Sequence, residues 1–280
     1  MNSLGGNLTR RTLLLGAVLP LLAAAPFPPH KIADDLYYVG TADLSSYLVK
    51  TDAGLILINP SFEKSVPEIR ANIEKLGFRF SDVKILLISH AHDDHAAGSA
   101  LVKRLTGARF MVMDRDVPEI TAGGVGDFHY PAMRWPPVKV DRVLHDGDTV
   151  KLGAAVLTAH LTPGHTKGCT TWTLPVTLQG RRLKAVIVGS PNVNAGYRLV
   201  GNKQYPEIAS DFAHTFQVLK GLPCDIFLGA HGAYYEMAAK VKKLDAGDAN
   251  AFVDPEGYTR YVANRERAFR DELERQKTGS

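Results

Sequence analysis

Cysteine is scarce: Cys169 and Cys224 are the only two in 280 residues. A framework of disulfide staples is therefore excluded, and one bond is the most the chain allows. Cys169 opens the apolar stretch CTTWTL and Cys224 directly precedes DIFLG, positions that favour two buried thiols packed as small hydrophobes. Charge of one sign is also lacking. Lys and Arg number 33 against 29 Asp and Glu, a net charge of +4 that falls to about +2 once Arg10 and Arg11 are set aside. So small a bias gives no basis for binding nucleic acid or an anionic membrane surface. The apolar run at 12–25 is shorter than the roughly 20 residues that a membrane span needs, and it ends in alanines. With 45% hydrophobic residues, the chain has enough apolar side chains for a full core, and disorder is not indicated.

The amino terminus has its own plan. An Arg pair at 10–11 is followed by the apolar run, then small residues, then a Pro-rich exit, with no acidic residue in the first 30. This is the tripartite layout of an export signal of the twin-arginine kind. Residues 1–25 are therefore set apart from the fold, the mature protein is expected in the periplasm without a membrane anchor, and residues 32–276 are expected to form one domain. Export in the folded state would allow a metal to be loaded beforehand.

From Leu36 onward, short strands give way to alternating helix and strand. SVPEIRANIEKLG (65–77) places Ile69, Ile73 and Leu76 at helical spacing, with Ser65 available as a cap and Gly77 as a stop. VKILLIS (83–89) is continuously apolar, the mark of a strand buried on both faces. The next helix, AAGSALVKRLTG, is predicted to pack through Ala100, Leu101 and Leu105. Residues 138–190 are mainly strand, with turns at Asp146-Gly147 and Gln179-Gly180. A helix, the strand CDIFLGAHG, a second helix and a charged helix at 265–277 close the chain. Strand-rich and helix-rich stretches thus occur twice, which predicts two βα halves with stacked sheets flanked by helices.

The chemistry is concentrated at HAHDDH (90–95), directly after the buried strand. His90 and His92 are two apart, so an extended backbone points both to one side. Asp94 and His95 fall where a helix begins, and a tight turn there sends them to a second position. Tetrahedral zinc is bound by such nitrogen and carboxylate donors at roughly 2.0–2.2 Å. Four ligands do not complete two sites, and TPGHTKG supplies His165 while FLGAHG supplies His231, each at the end of an apolar strand. His160, inside its strand, reads as a core imidazole or a donor behind the site. His30, His129, His145 and His214 have no glycine-framed context and are left unassigned.

The HxHxDH pattern at 90–95 resembles the metallo-β-lactamase superfamily, and the resemblance continues through 40–49, 162–168, 189–200 and 222–237. It implies an α+β fold of four layers, αββα, with two stacked mixed sheets flanked by helices. It is strongest toward the third subclass of the true metallo-β-lactamases. That likeness implies two zinc ions, the first on His90, His92 and His165 and the second on Asp94, His95 and His231. A hydroxide shared by the ions would attack the amide of a β-lactam antibiotic, with Asp94 orienting it, and so confer resistance. Relatives that hydrolyse thioesters or homoserine lactones usually have a bridging aspartate where this chain has Ser190. Other lactamase subclasses have a cysteine there.

By the same likeness Ser190, Asn192, Asn194 and Tyr197 are candidate substrate contacts, with Arg198 a further one. The loop 123–137 offers Phe128, Tyr130, Met133 and Trp135 either to the antibiotic's side chain or as anchors of the loop itself. The expected partner is a small β-lactam, met by a monomer. Two other readings stay open: a lactone or thioester hydrolase on the same site, and a zinc protein of the envelope without catalysis.

Overall fold

The computed structural model describes residues 27–279, so the proposed export signal at 1–25 lies outside the described residues. The first sheet has seven strands in chain order: β1 His30–Lys31, β2 Leu36–Tyr38, β3 Tyr47–Thr51, β4 Gly54–Ile58, β5 Val83–Leu87, β6 Arg109–Met113 and β7 Arg142–Leu144. β1 to β4 are antiparallel and β4 to β7 are parallel. The second sheet contains β8 Thr149–Leu152, β9 Ala155–Leu161, β10 Thr170–Leu178, β11 Arg181–Val188 and β12 Ile226–Gly229, in the order β12-β11-β10-β9-β8. Only its β11–β12 pairing is parallel. Among the described residues seven α-helices accompany the sheets: α1 Val66–Lys75, α2 Asp93–Ala96, α3 Ser99–Thr106, α4 Val117–Thr121, α5 Ile208–Gly221, α6 Met237–Asp245 and α7 Pro255–Thr278.

The period of two along each strand separates the layers. In β4, Leu55 and Leu57 join Val66, Ile69 and Ile73 of α1 in one cluster, while Ile56 and Ile58 face the other way. That second face meets Leu157, Trp172 and Leu174 of the other sheet, whose far side is covered by Phe212 and Phe216 of α5 and Phe269 of α7. The layers are thus helix, sheet, sheet, helix, as expected from the sequence. Trp172 spans the two sheets: its indole N–H donates to the Ile88 carbonyl at 3.0 Å. That bond satisfies the polar edge of a wholly buried ring.

Three local expectations change. Ser65 makes no side-chain cap to α1, whose start is set by Pro67 in the first turn, where no backbone N–H is needed. α3 packs through Ala100 and Leu101 as expected and buries Ser99 and Val102 as well, whereas Leu105 is 46% exposed. The charged carboxy-terminal helix begins ten residues earlier than its charge pattern indicates, capped by the Asp254 carboxylate accepting from the Gly257 N–H. Both cysteines are free thiols, but only Cys169 is fully buried; Cys224 is half-buried, and burial still pushes its thiol up to about 12.

Candidate metal centre

The site lies beyond the carboxyl ends of β5, β11 and β12 and the end of β9, where the chain leaves apolar strands and loops can carry chemistry. His90 and His92 follow β5 in an extended exit, His92 having φ −105° and ψ 156°. The single turn of α2 then redirects Asp94 and His95. Its placement depends on the small residues that follow: a Cβ on Gly98 would come within 2.6 Å of the Pro60 carbonyl oxygen. The supporting segment holds Asn59 and Ser61 at φ 60° and 58°, a left-handed conformation that is costly for residues with a Cβ. Hydrogen bonds stabilise it, since Asn59 Oδ1 accepts from the Ser89 N–H at 2.7 Å and the Ser61 carbonyl from the Gly98 N–H at 2.8 Å.

Two donor clusters result. Ligating atoms of His90, His92 and His165 lie within 4.8 Å of one another, all three residues buried. Nearby, His95 Nε2, His231 Nε2 and Asp94 Oδ2 form a triangle with sides of 3.2, 3.3 and 3.5 Å. Donors about 2.0–2.1 Å from one zinc at tetrahedral angles are separated by roughly 3.3 Å, so this triangle has the size of a zinc face.

The outward nitrogens are fixed. His165 Nδ1 donates to the Asn192 carbonyl at 2.9 Å and His231 Nδ1 to the Asp43 carboxylate at 3.0 Å. Each bond leaves the opposite nitrogen with a free lone pair pointing into the site. His90 Nδ1 is 3.1 Å from the Ser89 hydroxyl, and His92 Nε2 is 3.5 Å from Asp127 Oδ2.

Electrostatics favour ligands over protons. Burial, then the neighbouring imidazoles, drive His90 and His165 well below the ordinary histidine range, so both are neutral at pH 7. Burial works against ionisation of Asp94, but the imidazoles of His95 and His231 beside it prevail and hold it well below the usual carboxylate range. His90 Nε2 is buried without a hydrogen-bond partner. An orphaned acceptor beside the neutral imidazole of His165, close to an ionised carboxylate, belongs to the donor set that a divalent metal satisfies. The residues present fit zinc.

Both clusters reach one open cavity of about 770 Å³, the first through His92 and His165 and the second through Asp94 and His231. Asn192 and Asn194 line it, and Asn194 donates to the Tyr130 hydroxyl at 2.8 Å. Ser190 and Tyr197 do not line it: each is 1% exposed. Ser190 Oγ sits 3.1 Å from Tyr234 Oη, and the Tyr197 hydroxyl donates to the His165 carbonyl at 2.8 Å, so both act behind the wall as supports. Arg198 is exposed and also outside the lining. The aromatic loop divides its tasks, Phe128 and Trp135 being buried anchors while Tyr130 and Met133 face the cavity.

His160 contacts the Thr173 hydroxyl at 2.8 Å on its own sheet. Residues the sequence did not single out include Asp43, Asp127, His129 and Tyr234, the first and last of which lie in stretches that carry the family resemblance. Asp116 is another. Burial pushes its carboxyl up to about 6 against the pull of three donors.

Residues 40–177 match the metallo-beta-lactamase superfamily. The native FEZ-1 metallo-beta-lactamase from Legionella gormanii is 54% identical, with a TM-score of 0.89 over 90% of this chain and 98% of that one. The class B3 di-zinc metallo-beta-lactamase LRA-12 from an Alaskan soil metagenome is 34% identical, with a TM-score of 0.84 over 88% of this chain and 94% of the other. A hydroxyacylglutathione hydrolase of Cereibacter sphaeroides is 35% identical over 103 residues, 37% of this chain and 34% of that relative. The chain spans about a third of the length of the curated relatives it matches. Since the similarity to the lactamase structures extends along nearly the whole of both chains, the protein belongs to the metallo-β-lactamase superfamily, on the branch of its class B3 enzymes.

Proposed function

We propose that the protein is a zinc-dependent hydrolase that opens the amide bond of β-lactam antibiotics (penicillins, cephalosporins and carbapenems) and so confers resistance. His90, His92 and His165 would hold one zinc ion and Asp94, His95 and His231 a second. When bound, zinc supplies Lewis acidity to a carbonyl and acidifies a water. The chain's own residues do the rest. Asp94, ionised beside two imidazoles, sets the charge and position of the second cluster. Asn192 and Asn194 offer amide groups to the polar part of a substrate, and Tyr130, Met133 and Phe62 offer apolar surface to its variable part. A cavity of about 770 Å³ suits a ligand of antibiotic size.

The carrying observation is that both donor clusters open onto one cavity. A zinc site kept only for stability would be closed. Residues 1–25 would export the protein to the periplasm. No helix among the described residues is long and apolar enough to cross a membrane. Among those residues the exposed large hydrophobics are limited to Leu105, Val125, Val143 and Val200, which supports a monomer.

Steady-state hydrolysis of one penicillin, one cephalosporin and one carbapenem tests the reading, with a chelator and with Asp94→Ala as controls. Turnover that disappears in both controls is expected. The likeness to a hydroxyacylglutathione hydrolase supports a second reading, cleavage of a thioester or lactone. Ser190 stands against it, being bonded to Tyr234 and unable to supply a bridging anion. Cleavage of a thioester or a homoserine lactone, with all three antibiotics untouched, would establish that alternative.

A further inference from the structure

Asp116 has no part in the ligand set, yet it is tied to both segments that carry the first cluster. It lies just before α4 and is 1% exposed. Its Oδ2 accepts from the Ala91 N–H at 2.8 Å and from the Thr166 hydroxyl at 2.9 Å, and its Oδ1 accepts from the Gly168 N–H at 2.6 Å. Ala91 is the residue between His90 and His92, and Thr166 directly follows His165. One carboxylate therefore joins two loops that are remote in sequence and that bring three imidazoles together.

The approach is close enough to dictate a neighbour: a Cβ on Gly168 would lie 2.4 Å from the Asp116 backbone nitrogen and 2.8 Å from its Cβ. The hydrogen bonds that stabilise the Asp116 carboxylate come from these three donors. An ionised carboxylate is the one side chain of this length that only accepts on both oxygens. Asparagine would turn an N–H toward a donor, and alanine would leave three donors buried and unpaired.

We propose that Asp116 is a positioning residue, a buried clamp that sets the spacing between the His90–His92 loop and the His165 loop before metal arrives. The proposal rests on the assignment of those three histidines as zinc ligands. A preset spacing spares the metal the cost of ordering two loops, and losing such a support typically weakens binding about 10- to 100-fold.

The experiment compares Asp116→Asn, Thr166→Val and Thr166→Ser with the parent in the full chain. Zinc affinity is read by competition with a chromophoric chelator, and the visible spectrum of the cobalt-loaded protein is recorded alongside. Asp116→Asn is expected to fold and to lose about tenfold or more in affinity at one metal equivalent while the other is retained. Thr166→Val, which removes one donor at nearly constant shape, is expected to lose affinity by a few-fold, with Thr166→Ser restoring it. Should Asp116→Asn not fold, the threonine pair decides: valine and serine binding zinc equally well overturns the clamp. Affinity and cobalt spectrum unchanged in Asp116→Asn also overturn it while leaving the ligand assignment intact. A parent that binds no zinc overturns both.

Discussion

Replacing Asp43 by alanine should weaken metal binding at the cluster containing His231 and spare the other cluster. Asp43 Oδ2 accepts from His231 Nδ1 at 3.0 Å, holding Nε2 toward Asp94 and His95. The loop itself should survive the change, because the Asp43 carbonyl separately accepts from the Gly232 N–H at 2.7 Å and Leu44 forms a β-bridge with His231. A shielded hydrogen bond to a charged group contributes roughly 1.5–3 kcal/mol. The Asp43 side chain is 58% exposed, so water competes and the net contribution falls to about 1 kcal/mol. That corresponds to roughly a fivefold rise in the dissociation constant of the second zinc ion. Chelator competition, fitted to two sites, measures it. If Asp43→Ala changed neither site by more than about twofold, or weakened both equally, the orienting role of the carboxylate would be refuted.

Tyr197→Phe should cost about 1–2 kcal/mol in urea unfolding, because the His165 carbonyl loses its donor inside a region sealed from water. An unchanged denaturation midpoint would mean that the carbonyl finds another partner. Burial, then the nearby Asp116 charge, pushes Glu119 up to about 7, so its ionisation costs stability fully above that pH and not at all below its ordinary value near 4.5. Glu119→Gln should therefore gain on the parent by about 2 kcal/mol between pH 4.5 and 8, screening allowed for, and a stability difference independent of pH would contradict this. On α3, Val102→Ala should destabilise by about 2 kcal/mol while Leu105→Ala stays within about 0.5, as thermal or urea unfolding would show. Equal losses at the two positions would put the buried face elsewhere.

Helix and strand order, and the region of the chemistry, were legible along the chain because each rests on short-range pattern. Strands β4, β5 and β12 follow from apolar runs, and the Gln179-Gly180 turn from a glycine that adopts positive φ freely. Histidines at 90, 92 and 95 are close in sequence and unusual in composition, so their spacing alone carried information. Asp43, Asp116 and Asp127 were not legible: each is one aspartate among many until the fold brings an imidazole or a buried N–H to it. The exposure of Leu105 on α3 was missed for a related reason, since an eight-residue helix has too few apolar positions to define one side.

The sequence by itself determined the fold family, the strand-end placement of the histidines and the kinds of donor atom available. Tertiary structure alone decided which nitrogen of each imidazole faces inward, that Ser190 and Tyr197 stand behind the cavity wall, and that Tyr130 and Met133 form it. Donor chemistry belongs to residue type and survives any fold, whereas direction and exposure are set by contacts between segments far apart along the chain, which local pattern does not encode.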